Sequence, residues 1–145
     1  GSPGQPSYTA AKAGILGLTF STAQGLRRYG ITCNAIFPVA ATRMTDTIHQ
    51  EAWQITPSSE AQGTPVDPIN VAPIVIFLAS DEAAEVTGQV FGSEGYSVTR
   101  YYHMSPERTV YNKGPWELDE FFTVMKRTLA RDLRKPRMFQ GPPSR

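Results

Sequence analysis

Tyr8 and Lys12 stand four residues apart in the stretch Tyr8-Thr9-Ala10-Ala11-Lys12. On an α-helix that spacing puts a phenol and an ammonium on one face, one turn apart. A cation about 4 Å from a phenol, at an effective dielectric near 20, favours the ionised form by roughly 4 kcal/mol. A phenol ordinarily titrates near 10, so such a neighbour can bring it toward the neutral range where general acid–base transfer is efficient. A surface tyrosine packed along a lysine stem has the same spacing, and six tyrosines make a chance match easy. The surrounding residues must decide between the two.

Around the pair, Tyr8 to Arg28 reads as a helix in which Ile15, Leu16, Leu18, Phe20 and Leu26 supply apolar contacts. Ala10, Ala11, Ala13, Gly14, Gly17, Ser21 and Ala23 keep the rest of its surface small. Each helical glycine costs about 1 kcal/mol relative to alanine, so several together predict close approach of another backbone. Arg27 and Arg28 followed by Gly30 predict a cationic last turn and a glycine stop. Ile31 to Phe37 reads as a strand ended by Pro38. Val39 to about Thr64 is polar and irregular, and a loop of that length points to a binding role. Thr64-Pro65-Val66-Asp67-Pro68 is a turn into a helix over Val71–Ala79, with Asn70 as its N-cap and Pro73 in its first turn. Ile74, Val75, Phe77 and Leu78 are expected to be largely buried there. Gln89 to Ser93 is a second strand, and Tyr96 to Tyr102 a further extended segment. Leu118, Phe121, Phe122, Met125, Leu129 and Leu133 recur at helical spacing within Trp116–Leu133.

The balance of 14 basic and 13 acidic residues argues against a nucleic-acid binder. Half of the basic residues fall in the last twenty positions, and Lys135 to Arg145 reads as a basic, solvated, disordered tail. Cys33 is alone, so no internal disulfide forms, which fits a reducing, cytoplasmic setting. His49 and His103 are isolated, and no metal site is expected. No apolar run reaches the length of a membrane span, so no membrane partner is expected either.

Taken in order, these motifs resemble the C-terminal half of the short-chain dehydrogenase/reductases. The matching residues are Gly4-Gln5, Tyr8-Thr9-Ala10-Ala11-Lys12-Ala13-Gly14 and Asn34-Ala35-Ile36-Phe37-Pro38. They continue with Thr42-Arg43-Met44-Thr45, Val71-Ala72, Phe77-Leu78-Ala79-Ser80-Asp81 and Thr87-Gly88-Gln89. The likeness covers residues 4 to 95. It implies an α/β fold: the C-terminal half of a Rossmann-like, doubly wound parallel sheet, here with an added C-terminal helix and tail. Residues 1–103 would form that half-domain and 104–145 the extension.

The resemblance further implies an NAD- or NADP-dependent oxidoreductase that moves a hydride between the cofactor and a secondary alcohol or ketone. Tyr8 would be the general acid/base. Lys12 would lower the pKa of Tyr8 and hold the nicotinamide ribose. Pro38, Val39, Ala41 and Thr42 would line the nicotinamide, Thr42 bonding its carboxamide. Met44, Ile48 and Trp53 would touch the substrate. Val39 stands where the family usually has glycine. The family's glycine-rich phosphate turn, its catalytic serine and the residue that selects NAD or NADP have no counterpart in these 145 residues, and Ser7 lies on a different helical face from Tyr8. The chain is therefore expected to be a fragment, inactive alone, of an enzyme that is a homodimer or homotetramer when complete. The contrasting expectation is a non-catalytic interaction or oligomerisation module that kept the fold without the phosphate-binding turn.

Overall fold

The computed structural model describes residues 4–47, 56–102 and 106–133. The chain divides into two compact units, Gly1–Tyr102 and His103–Arg145. Ile48, Trp53, His49, His103 and the tail from Lys135 lie outside the described residues.

Helix α1 spans Pro6–Leu26. It starts two residues earlier than the sequence predicts, because Pro6 sits in the first turn, where its missing N–H has no helical partner to lose. Arg27–Tyr29 tighten into one 3₁₀ turn, and Gly30, at φ +70°, stops it by donating its N–H to the Arg27 carbonyl at 3.0 Å. Only Thr19 and Ala23 of α1 are fully buried. They are four apart, and the Thr19 hydroxyl satisfies itself on the Ile15 carbonyl at 2.9 Å. Ile15 and Leu18 remain exposed. The close approach predicted from the helix glycines does not occur at them; α1 is met at Ala23 instead. Among the described residues, and apart from the helix's own neighbouring backbone, no atom stands within 4 Å of a Cβ built on Gly14, Gly17 or Gly25, whereas one built on Gly88 would lie 3.4 Å from the Ala23 Cβ.

The sheet has the order β1-β2-β3, with β1 Ala35–Val39, β2 Val90–Glu94 and β3 Ser97–Tyr101. β1 and β2 run parallel, pairing Ala35 with Val90 and Val39 with Glu94. β2 and β3 form an antiparallel hairpin through the two residues Gly95 and Tyr96, which adds the extended segment expected at Tyr96–Tyr102 to the parallel pair as a third strand. Gly95 sits at φ +57° in the first turn position, where glycine is favoured.

β1 also differs from the strand expected at Ile31–Phe37. It begins at Ala35, because just before it side chains enter the bonding to Val86–Gln89: the Cys33 N–H donates to the Thr87 hydroxyl, and the Asn34 carboxamide donates to the Val86 carbonyl and accepts the Gln89 N–H. It also runs through Pro38 instead of ending there. Ala35 donates its N–H to Gln89 across the ladder at 2.9 Å. By alternation the nitrogen of Pro38 faces the opposite edge, and no bond to β2 is lost.

On β2, Gly92 makes room for the ring of Tyr101: a Cβ there would stand 2.8 Å from Cε2. The same ring lies 6.0 Å from that of Phe37 on β1. Val90, Gly92 and Ser93 are buried, as a central strand requires.

Helix α2, Ala72–Leu78, follows a 3₁₀ turn over Pro68–Val71. Its lead-in is capped by Asp67 rather than Asn70: the carboxylate accepts the Ile69 N–H at 3.0 Å. Asn70 instead donates its side-chain N–H to the carbonyls of Thr64 and Pro65. Of the four side chains expected inside, Ile74 is buried and Leu78 half-buried, while Val75 and Phe77 are exposed. The helix is in contact chiefly with the turns at its two ends. Five of the seven fully buried apolar residues among those described are alanines, so this core is thin.

In the second unit, α3 covers Leu118–Arg127 and is shorter than the periodicity predicts. The Thr128 hydroxyl bonds back to the Val124 carbonyl at 2.6 Å, and Asp132 takes the left-handed conformation at φ 54°. Arg108 donates to the carbonyls of Thr128 and Arg131 beyond the helix end, each at 3.4 Å, and lies 3.7 Å from Asp132. Trp116 meets Phe121 edge-on at 5.5 Å.

Candidate active site

Tyr8 and Lys12 lie in the first two turns of α1, both exposed. The Lys12 Nζ stands over the Tyr8 ring, 5.4 Å from its centroid, so the helix brings the pair together as the spacing predicts. The contact is to the face of the ring, a cation–π arrangement, with the ammonium and the hydroxyl both open to a ligand. Between them in sequence, the Thr9 hydroxyl is screened from solvent and has no hydrogen-bond partner among the described residues.

A second cluster forms where β1 ends. Pro38 and Val39 are its last residues, and both are exposed. Ala41 is buried, its N–H donated to the Val66 carbonyl at 2.8 Å. Thr42 follows with its main chain fully committed. Its N–H donates to the Thr45 Oγ1 at 2.8 Å, and its carbonyl accepts from the Thr45 hydroxyl at 2.7 Å, the Thr45 N–H at 2.8 Å and the Asp46 N–H at 3.1 Å. The Thr42 hydroxyl itself makes no hydrogen bond among the described residues. Met44 is 79% exposed, and Ile48 and Trp53 lie outside the described residues. No hydrogen bond, ion pair or ring contact among the described residues joins Tyr8 or Lys12 to this second cluster.

Two carboxylates brace it. Asp46 accepts the Ser58 N–H at 2.8 Å on one oxygen and the Ser58 hydroxyl on the other. The Ser58 hydroxyl first, and its N–H second, hold the Asp46 carboxyl below the usual carboxylate range. Asp67 accepts from the N–H groups of Ile69 and Gly63, which lower its pKa in that order. The Gly63–Asn70 turn that results carries the Val66 carbonyl to Ala41.

Sequence reasoning read the turn at Thr64–Pro68 but missed both carboxylate braces, although Asp67-Pro68 is a turn-initiating pair.

A family model described as enoyl-(acyl carrier protein) reductase matches residues 1–95. The hydroxyacyl-CoA dehydrogenase ChsB1 of Mycobacterium tuberculosis is 49% identical over 128 residues, 87% of this chain and 39% of that protein. The 3-oxoacyl-[acyl-carrier-protein] reductase FabG of Thermotoga maritima is 41% identical over 96 residues, 66% of this chain and 39% of its own. The human (3R)-3-hydroxyacyl-CoA dehydrogenase is 40% identical over 89 residues, 61% of this chain and 34% of its own. The crystal structure of a short chain dehydrogenase from Mycobacterium avium superposes with a TM-score of 0.70 at 33% identity, covering 98% of this chain and 43% of that one. The chain thus spans about two fifths of the length of these relatives. By motif order, strand arrangement and likeness over residues 1–95, the chain belongs to the short-chain dehydrogenase/reductase family.

Proposed function

We propose that this chain carries the proton-transfer and nicotinamide-facing part of an NAD(H)- or NADP(H)-dependent oxidoreductase that interconverts a secondary alcohol and a ketone. The observation that carries the proposal is the Tyr8–Lys12 pair on one open face of α1. A bound nicotinamide supplies hydride transfer; the chain supplies protons, orientation and charge. In reduction the Tyr8 hydroxyl donates its proton to the ketone oxygen, and in oxidation the phenolate takes it from the alcohol. Lys12 stabilises the phenolate and holds the ribose hydroxyls. Pro38, Val39 and Ala41 line the ring, and the Thr42 hydroxyl bonds its carboxamide. A hydroxyl with no hydrogen bond among the described residues, on an immobilised main chain, suits that role, since little ordering remains to be done on binding. Met44 is the exposed apolar contact for the substrate.

For the substrate we assign a 3-hydroxyacyl or 3-oxoacyl thioester, because the relatives' names share an oxygen function on an acyl-CoA or acyl-carrier chain. CoA is the favoured carrier, since the 49% identical relative is named for it. Following nicotinamide absorbance in the full-length enzyme with a 3-hydroxyacyl-CoA, the matching acyl-carrier-protein thioester and a simple secondary alcohol tests this. Turnover of the CoA thioester with one of the two cofactors is expected. Reduction of neither cofactor by any of the three would refute the enzymatic reading.

The complete enzyme is a homodimer or homotetramer in this proposal. Exposed Ile15 and Leu18, and the open space over Gly14 and Gly17, leave α1 room for another helix. Light scattering at micromolar concentration should give at least twice the subunit mass, and a monomer would contradict it.

A further inference from the structure

Resting on the assignment of Thr42 to the nicotinamide carboxamide, we propose that Thr45 is a positioning residue for the cofactor. Its single hydroxyl clasps both polar main-chain groups of Thr42 and thereby leaves the Thr42 hydroxyl free for the ligand.

In a capping box the side chain of the first residue accepts the N–H of the fourth, and the fourth reaches back to the N–H of the first. Only the second half of that exchange occurs here. The Thr45 Oγ1 accepts from the Thr42 N–H at 2.8 Å and donates to the Thr42 carbonyl at 2.7 Å. The Thr45 N–H goes to that same carbonyl at 2.8 Å. The bond that would consume the Thr42 hydroxyl is thus replaced by a main-chain bond. The next residue ties the arrangement down: the Asp46 N–H reaches the Thr42 carbonyl at 3.1 Å, while the Asp46 carboxylate holds Ser58. On the preceding side, buried Ala41 is fixed to Val66.

Thr45→Val keeps the shape of the side chain and removes both bonds of its hydroxyl. The Thr42 N–H then loses its partner while the carbonyl keeps the Thr45 and Asp46 N–H groups, so the main chain that presents the Thr42 hydroxyl is held less firmly. The nicotinamide end of the cofactor should lose its contact while the adenine and pyrophosphate end is untouched.

The test is calorimetric titration of the full-length enzyme with the oxidised cofactor it uses, and with ADP-ribose or its 2′-phosphate, which have no nicotinamide ring. In Thr45→Val the dinucleotide should bind roughly tenfold more weakly, the size of one lost hydrogen bond, while the ring-free fragment binds as in the wild type. Thr45→Ser, which keeps the hydroxyl, should restore the difference. Thr42→Val should weaken the dinucleotide selectively as well.

If Thr42→Val affects the dinucleotide and Thr45→Val does not, the positioning role is wrong while the Thr42 assignment stands. If Thr42→Val also spares the dinucleotide, the assignment itself is wrong and the role of Thr45 falls with it. Equal weakening of both ligands in Thr45→Val means a general structural effect, and it overturns the proposal. Failure of Thr45→Ser to restore binding does so too.

Discussion

Asn34 and Gln89 are 55 residues apart, yet the Asn34 Oδ1 accepts the Gln89 N–H at 2.9 Å while its Nδ2 donates to the Val86 carbonyl at 2.7 Å. One carboxamide thus fastens the end of the α1–β1 connection to the segment that enters β2. Beside it, Cys33 donates its N–H to the Thr87 hydroxyl at 3.0 Å and accepts the Gly88 N–H at 2.8 Å. These bonds set the register in which Ala35 meets Val90, and hence where β1 delivers Pro38 and Thr42.

Asn34→Ala should therefore destabilise the protein by about 1–3 kcal/mol, because two partly buried main-chain groups lose their partners together. Urea unfolding of the full-length protein measures this. A change below about 0.5 kcal/mol would mean that water replaces the carboxamide without cost.

Gly88 combines a left-handed backbone at φ +67° with contact against α1. Gly88→Ala places a Cβ 3.4 Å from that of Ala23, on a backbone that costs a non-glycine residue about 1–2 kcal/mol. A loss of about that size is expected in thermal or denaturant unfolding. Relieving the contact with Ala23→Gly should recover little of it, since the conformation is the larger cost.

The chemistry-bearing pair and the sequence of elements were legible because they rest on local spacing. Tyr8 and Lys12 need only a helix between them, and Gly30 needs only its own φ. Strand limits were less legible. Pro38 ends a strand only if its nitrogen faces a partner, and that depends on register with a strand more than fifty residues away. Likewise the apolar run Ile74–Leu78 predicts burial, but only Ile74 meets enough neighbours to be buried here. The third strand was legible as an extended segment over Tyr96–Tyr102, but its antiparallel pairing with β2 was not, because Ser97–Tyr101 is exposed throughout and shows no buried face.

Acid should loosen the braces behind Thr42 before it unfolds the sheet. Asp46 and Asp67 both have folded-state pKa values lowered by the hydrogen bonds they accept. Their stabilisation is therefore fully present above the unfolded value of about 3.9 and is lost as pH falls through the lower folded values. Amide resonances of Ser58, Gly63 and Ile69 should shift together below about pH 4, and Asp46→Asn should abolish the movement at Ser58 alone. Constant shifts at all three down to pH 2 would show that these carboxylates do not hold the loop.

The central claim is that Tyr8 moves the proton. The most direct measurement is the rate of hydride transfer in a single turnover of full-length Tyr8→Phe, with cofactor affinity measured in parallel. The phenyl ring preserves shape and the face that Lys12 covers, and removes only the hydroxyl. The rate should fall by about 10²–10⁴-fold while the cofactor dissociation constant changes less than about threefold. A rate within a factor of about two of the wild type would contradict the account.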